Sequence, residues 1–255
     1  MKLHEVDLGG AGKPLMLVLH GLLGSSRNWQ TTGRDLAEHF HVIALDARNH
    51  GRSPHDAEMS VAAMVEDVVG WMETQGAPRA TIVGHSMGGK IAMQLACRHP
   101  ALVERLVVVD VAPRDYHWRG HRAEFMAMHE LNLHDLRSRQ EAEMRFEARV
   151  TDFAMRKFLT TNLARTETGA WTWSINLPAL TDALPDLERN SLQPDDRYEG
   201  PVLFIVGGKS DYVAADDHAA IRQYFPAARL ETIAESGHNP HMDARAAFVR
   251  AVLSA

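Results

Sequence analysis

Apolar positions along the first 110 residues fall into short unbroken runs separated by stretches of helical spacing. Leu15–Leu19 (LMLVL) reads as a strand running into the loop His20–Ser26, and Val42–Leu45 as a second strand ending at Asp46. Between Ser60 and Thr74 the apolar residues Val61, Met64, Val65, Val68 and Met72 share one face of a helix, with Ser60 as its N-cap. Gly76-Ala-Pro78 stops that helix, and Ala80–Val83 forms the next strand. A helix over Lys90–Arg98 and a strand over Leu106–Val109, ending at Asp110, complete the pattern.

Strands that are apolar throughout, rather than at alternate positions, are buried on both faces. With helices between them they predict an α/β fold, a doubly wound, mostly parallel sheet. Sites in such sheets form beyond the carboxyl ends of the strands, which is where His20, Asp46, Ser86 and Asp110 fall. After Pro113 the rhythm changes. Residues 114–195 carry helical stretches near Gly120–Leu131, His134–Val150 and Asp152–Arg165, and one short strand-like run, Trp171–Ile175. The βα pattern then resumes with strands over Val202–Val206 and Arg229–Ile233 and helices over Asp217–Tyr224 and Ala244–Leu253. The expected organisation is a core of 1–113 and 196–255, with 114–195 inserted between two strands of one sheet.

Composition narrows the function. At 255 residues, 45% hydrophobic and 24% charged, the chain has the make-up of one large globular domain or a core with an insertion. A net charge of −6 offers no basic field for phosphates, so nucleic acid is not an expected partner. The opening MKLHEVDLGGAGK has no signal-peptide apolar stretch, and no run approaches the ~20 residues of a membrane span. The single Cys97 cannot form an internal disulfide. A cytoplasmic protein without membrane association is expected, of undetermined oligomeric state.

Gly84-His85-Ser86-Met87-Gly88 matches G-x-S-x-G, between a predicted strand and a predicted helix. In that turn a serine is forced outward, flanked by glycines and facing the free N–H groups of the helix start. Met87 N–H is then one oxyanion donor, and Leu22 N–H, in the glycine-bearing loop His20-Gly-Leu-Leu-Gly24, is the candidate for the second. Among 15 histidines, His238 follows the last strand and precedes the last helix, as the base of such a site should. His241 is expected behind the site or on the surface, and His85 to bond locally. The acid is open at this point. Asp211 follows the strand Val202–Val206, but counting G-x-x-D-x-x-V from Gly207 puts Ser210 at the acid position and Asp211 one residue late. Asp110 ends the strand after the nucleophile helix and can also reach a histidine above the sheet.

HGLLGSSRNW (20–29), DARNHGRSP (46–54), GHSMGGK (84–90), VVVDVAPRDY (107–116), GGKSDYV (207–213) and AESGH (234–238) together resemble the α/β-hydrolase fold serine esterases. The similarity is to the bacterial YbfF-type esterases and the abhydrolase-domain-containing 11 group. It implies Ser86, Asp110 and His238 as catalytic triad, with Asp211 the alternative acid, and Leu22 and Met87 as the oxyanion hole. It also implies that 114–195 is a helical cap over the acyl pocket, with Trp118, Phe125, Phe153 and Trp173 as candidate pocket residues beside Met126, Met128 and Trp171. Arg48 and His50 are expected to fix loops near the site. No cofactor and no metal are expected: His117 and His121 have i,i+4 spacing but lack the accompanying glutamate of a zinc protease. The expected activity is hydrolysis of short-to-medium acyl esters, small molecules in kind. Thioesters, lactones and C–C bonds are the alternative substrates of the same triad, and a non-catalytic ligand-binding protein on this scaffold is the alternative of another class.

Overall fold

The computed structural model describes residues 1–116 and 120–254. The chain runs through β1 (Glu5–Gly9), β2 (Leu15–Leu19), α1 (Gln30–Leu36), β3 (His41–Leu45), α2 (Val61–Thr74), β4 (Ala80–His85), α3 (Met87–Arg98) and β5 (Val103–Val109). A segment of α4 (Gly120–Glu130), α5 (Arg139–Phe146), α6 (Phe153–Thr160), β6 (Leu163–Arg165), β7 (Trp171–Trp173) and α7 (Leu177–Glu188) follows. The alternation then resumes with β8 (Val202–Gly207), α8 (Asp217–Tyr224), β9 (Ala228–Ile233), α9 (Pro240–Asp243) and α10 (Arg245–Leu253).

Seven strands form one sheet in the order β1-β3-β2-β4-β5-β8-β9, antiparallel at β1–β3 and parallel elsewhere. β6 and β7 pair antiparallel in a separate hairpin. Alternate residues of the central strands feed two cores. Leu17, Leu19, Ile82, Leu106, Val108 and Phe204 face the layer of α2, α3 and α8. Met16, Val18, Val83, Val107, Val109 and Ile205 face the layer holding Leu36 of α1 and Phe248 and Val252 of α10. This double burial is what the unbroken apolar runs encode.

The differences from the sequence expectation have local causes. β1 has only one buried residue, Leu8, so its apolar signal is that of a half-solvated edge strand. β5 starts at Val103, since the exposed Glu104 and half-buried Arg105 mark its entry rather than a turn. The helix expected over His134–Val150 shrinks to Arg139–Phe146, where the Ser138 side chain accepts from Glu141 N–H at 3.1 Å and sets the start. α6 ends at Thr160 rather than Arg165, because 163–165 pairs with 171–173. α7 carries Pro178 at its start and Pro185 inside, which masks its helical period, yet Leu177, Leu180, Leu184 and Leu187 line its inner face.

Close approach of α3 to the sheet imposes a tight constraint. A Cβ on Gly88 would meet the Leu19 carbonyl oxygen and come within 2.7 Å of the His20 carbonyl oxygen, both backbone atoms that cannot turn aside. Gly88→Ala is therefore expected to destabilise the fold by about 1–3 kcal/mol. Thermal unfolding followed by circular dichroism checks it, and an unchanged midpoint would contradict the packing described.

Candidate active site

Strand β4 ends at His85, and the chain reverses into α3 at Ser86 alone. Ser86 N–H donates to Val109 O at 3.0 Å, extending the β4–β5 ladder, while Ser86 O accepts from Lys90 N–H at 3.1 Å, opening the helix. Serving both partners puts Ser86 at φ 52°, ψ −115°, a strained conformation for a serine, costing about 1–3 kcal/mol. Glycines make the turn possible: a Cβ on Gly84 would strike Gly88 O and lie 2.7 Å from Gly89 N. Met87, first in the helix, has an N–H without an intrahelical acceptor.

One strand over, Asp110 follows β5 with φ 50° and is 1% exposed. Its Oδ2 accepts from His238 Nδ1 at 2.8 Å and from the Ser210 hydroxyl, and its Oδ1 accepts from Gly207 N–H at 2.9 Å. Asp211 is exposed at the next position. Asp110 is thus the aspartate in contact with His238, while Ser210, at the loop position where an acid was sought, holds Asp110 instead. Burial pushes the Asp110 carboxyl up to about 6, and the Ser210 and Gly207 hydrogen bonds pull against that rise. Burial, reinforced by His121, holds the His238 imidazole below the ordinary histidine value. Above pH 6 the pair is carboxylate and neutral imidazole, with Nδ1–H donating and Nε2 left as acceptor.

His238 is held from both sides. Its backbone carbonyl accepts from His85 Nε2 at 2.8 Å, and Tyr212 stacks on its ring at 3.4 Å and 17°. His85 therefore bonds across the site rather than locally. Tyr212 was missed in the sequence; its only signal is its place two residues past Ser210. The Tyr116 hydroxyl donates to Tyr212 O at 2.8 Å and accepts from Ala112 N–H at 2.7 Å, tying the two loops together. His241 is buried, stacked 4.2 Å from the Trp29 ring.

A small cavity of about 50 Å³ beside Ser86 is lined by Leu22, Met87, Lys90, Tyr116, Leu184 and Tyr212, among others. Of the expected pocket residues, Phe125, Phe153 and Trp173 are not among them. Phe125 and Met128, three apart on α4, are buried in the core, and Phe153 and Met126 point outward, 55% and 47% exposed. Trp171 and Trp173 pack half-buried on the hairpin, and Trp118 lies outside the described residues. Packing claims Phe125 and Met128, solvent takes Phe153 and Met126, and α7 supplies Leu184 and Leu187 to the cavity wall. Lys90 Nζ donates to Leu187 O at 2.7 Å and Arg189 O at 2.6 Å, anchoring α7 to α3; burial lowers its pKa to about 8. A wider cleft of about 650 Å³, between the β1 edge and the β6–β7 hairpin, holds none of Ser86, Asp110 and His238.

Arg48 and His50 fix loops, as expected. Arg48 grips Asp67 through Nε at 2.6 Å and Nη2 at 3.0 Å, and His50 donates from Nδ1 to Arg48 O at 2.9 Å. The Asp46 carboxylate is taken up by Ser26 N–H at 2.6 Å and Arg52 N–H at 2.8 Å. His121 lines the cavity, and His117 lies outside the described residues. Among the described residues no group of three or more His, Cys, Asp or Glu could hold a metal ion, and no helix is long and apolar enough to cross a membrane.

Comparison with known proteins agrees with this geometry. The model of the alpha/beta hydrolase fold family matches residues 14–245. The chain is 37% identical to the sn-1-specific diacylglycerol lipase ABHD11 of Mus musculus, over 96% of this chain and 82% of the relative. It is 36% identical to esterase YbfF of Escherichia coli (strain K12), over 94% of this chain and 91% of the relative. The solved structure of a marine microorganism esterase, 33% identical, superimposes with a TM-score of 0.96 over 100% of this chain and 99% of that one. The chain belongs to the α/β-hydrolase family and stands among the carboxylic ester hydrolases of that fold.

Proposed function

We propose that this protein is a serine carboxylesterase for short-to-medium acyl esters, with Ser86, His238 and Asp110 as its triad and residues 114–195 as a helical cap over a core of 1–113 and 196–255. The observation that carries the reading is the buried Asp110–His238 hydrogen bond beside a strained serine at a strand-to-helix turn. With Nδ1–H committed to Asp110, His238 has Nε2 free to take the Ser86 proton. Ser86 Oγ then attacks the ester carbonyl, and Leu22 and Met87 N–H receive the oxyanion. His238 returns the proton to the departing alcohol oxygen as the C–O bond breaks. Water, activated by the same imidazole, hydrolyses the acyl-enzyme and restores Ser86. No step calls on a cofactor.

Ser86→Ala is expected to lower kcat on a p-nitrophenyl ester by on the order of 10³-fold or more, with the fold retained. A fluorophosphonate label that marks the wild type and not the variant separates an esterase from a ligand-binding protein on the same scaffold. A tenth of wild-type turnover remaining in a pure preparation would sink the assignment.

Asp110→Asn is expected to cost about 10⁴ in kcat, because the imidazole loses the partner that sets its tautomer. Asp211→Asn, on an exposed side chain, is expected to change kcat by less than about tenfold, or 1.4 kcal/mol. Both variants assayed on one ester decide between the two carboxylates, and the reverse ranking would move the acid to Asp211.

The pH profile follows from the raised Asp110 value. The carboxylate that holds His238 is present above about 6 and takes up a proton as pH falls through that value, so kcat/KM should fall on the acid side near pH 6. Ser210→Ala removes a hydrogen bond that favours the carboxylate, and should move that limb to higher pH. An acid limb that stays in place in the variant would show that Asp110 does not govern it.

A further inference from the structure

The loop that carries Leu22 is held by groups the proposed chemistry does not use. Gly21 C=O and Leu22 N–H belong to one trans peptide, so they point in opposite directions. Gly21 O accepts from His20 Nδ1 at 2.8 Å and from Gly24 N–H at 3.0 Å, which fixes one edge of that plane. The adjoining Leu22–Leu23 peptide ends in Leu23, which sits at φ 60°, a left-handed conformation that a branched side chain adopts only when held.

Leu23 is held at both backbone polar atoms. Its N–H donates to His50 Nε2 at 3.2 Å, and its carbonyl accepts from Asn162 Nδ2 at 3.0 Å. His50 is committed to accepting there, because its Nδ1–H is given to Arg48 O. Asn162 is 4% exposed and comes from the far side of the molecule in sequence, between α6 and the β6–β7 hairpin. Its own position is built in: Asn162 N–H donates to Leu159 O at 3.1 Å, and Asn162 O accepts from Ser174 N–H at 2.8 Å.

Just beyond that hairpin a second hook reaches the core. Asn176 N–H donates to Asn49 O at 3.0 Å, and Asn176 Nδ2 to Asn49 Oδ1 at 3.1 Å. Asn49 is also left-handed, at φ 64°, and immediately precedes His50. The contacts close a ring: Asn162 to Leu23, Leu23 to His50, His50 through the chain to Asn49, and Asn49 back to Asn176. Two core residues with left-handed backbone, Leu23 and Asn49, are both gripped by the inserted segment.

We infer that Asn162 is a positioning residue of the oxyanion hole: by holding the Leu23 carbonyl it sets the Gly21–Leu22–Leu23 backbone so that Leu22 N–H meets the developing oxyanion. The inference rests on Leu22 being an oxyanion donor. In consequence the inserted segment does more than cover the site. Without its asparagine, Leu23 relaxes toward an ordinary conformation and turns the peptide beside it.

The test compares p-nitrophenyl acetate with its thiono analogue, in which sulfur replaces the carbonyl oxygen and accepts hydrogen bonds weakly. Asn162→Asp keeps shape and volume but puts an oxygen where the donor stood. Its kcat/KM on the oxygen ester should fall by about tenfold or more, short of the roughly 10²–10³ for deleting an oxyanion donor outright, because Leu22 N–H is displaced rather than removed. The thiono ester should lose less than about threefold, since the hole contributes little to its transition state. A merely structural role lowers both substrates together and leaves their ratio unchanged, and that result overturns the inference. So does an oxygen-ester rate within about twofold of wild type. If circular dichroism shows Asn162→Asp unfolded, Asn162→Ala is read with the same expectations; if neither folds, Asn162 is a folding determinant and the inference is overturned. A wild type inactive on the oxygen ester, by contrast, overturns the hydrolase reading on which this one rests.

Discussion

A carboxylate 1% exposed needs donors for both its oxygens, and Asp110 finds three of them in two distant parts of the chain: the Gly207 backbone and Ser210 in one, His238 in the other. Each donor stands at or beyond the carboxyl edge of a sheet strand. Gly207 ends β8, Ser210 lies in the loop that follows, and His238 follows β9, the next strand out. The parallel register of β5, β8 and β9 therefore decides whether the three can meet at one carboxylate. Tyr212 and Tyr116 then lock the same loops from the other side, so that the histidine ring lies between a charge and an aromatic face.

Strain is concentrated in the loops that follow β2, β3, β4 and β5. Leu23, Asn49, Ser86 and Asp110 all have positive φ without being glycine. Such conformations persist where surrounding contacts over-determine them. Ser86 is locked by β5 on one side and by the first turn of α3 on the other. Asp110 is locked by Ile205 O, which accepts its N–H at 2.9 Å, and by its three side-chain contacts. Leu23 and Asn49 have no such strand beside them and are held by buried asparagine and histidine side chains instead.

The inserted segment shares an apolar core with the sheet layer and adds polar contacts that reach backbone. Lys90 holds the end of α7, Asn162 holds Leu23, and Asn176 holds Asn49. Such contacts are directional, so they fix how the inserted segment sits against the rest of the chain, whereas the leucines of α7 supply burial without direction. A buried polar group that loses its partner costs about 1–3 kcal/mol, which makes each hook a condition on how the insertion sits.

The unbroken apolar runs of β2, β3, β4, β5 and β8 were enough to determine a parallel sheet, because burial on both faces leaves no alternation. The strand-to-helix setting of Gly84–Gly88 determined that Ser86 would stand at the carboxyl edge, because only glycine-flanked residues fit so tight a turn. Single-chain pattern could not separate Asp110 from Asp211, because the choice depends on which loop lies beside His238 and which side chain the fold buries. Phe125 and Phe153 lie away from the cavity for a related reason: both are large and apolar, but size does not say which way a helix faces. Tyr212, Asn162 and Asn176 left no readable pattern at all, since each acts through a contact with a residue distant in sequence. Sequence alone determined the sheet, the strand-to-helix turn at Ser86 and the histidine after the last strand, all local matters of period and turn chemistry. Tertiary structure alone decided which aspartate meets His238, what walls the cavity and what holds the Leu22–Leu23 loop, because those depend on distances between segments that only folding brings together.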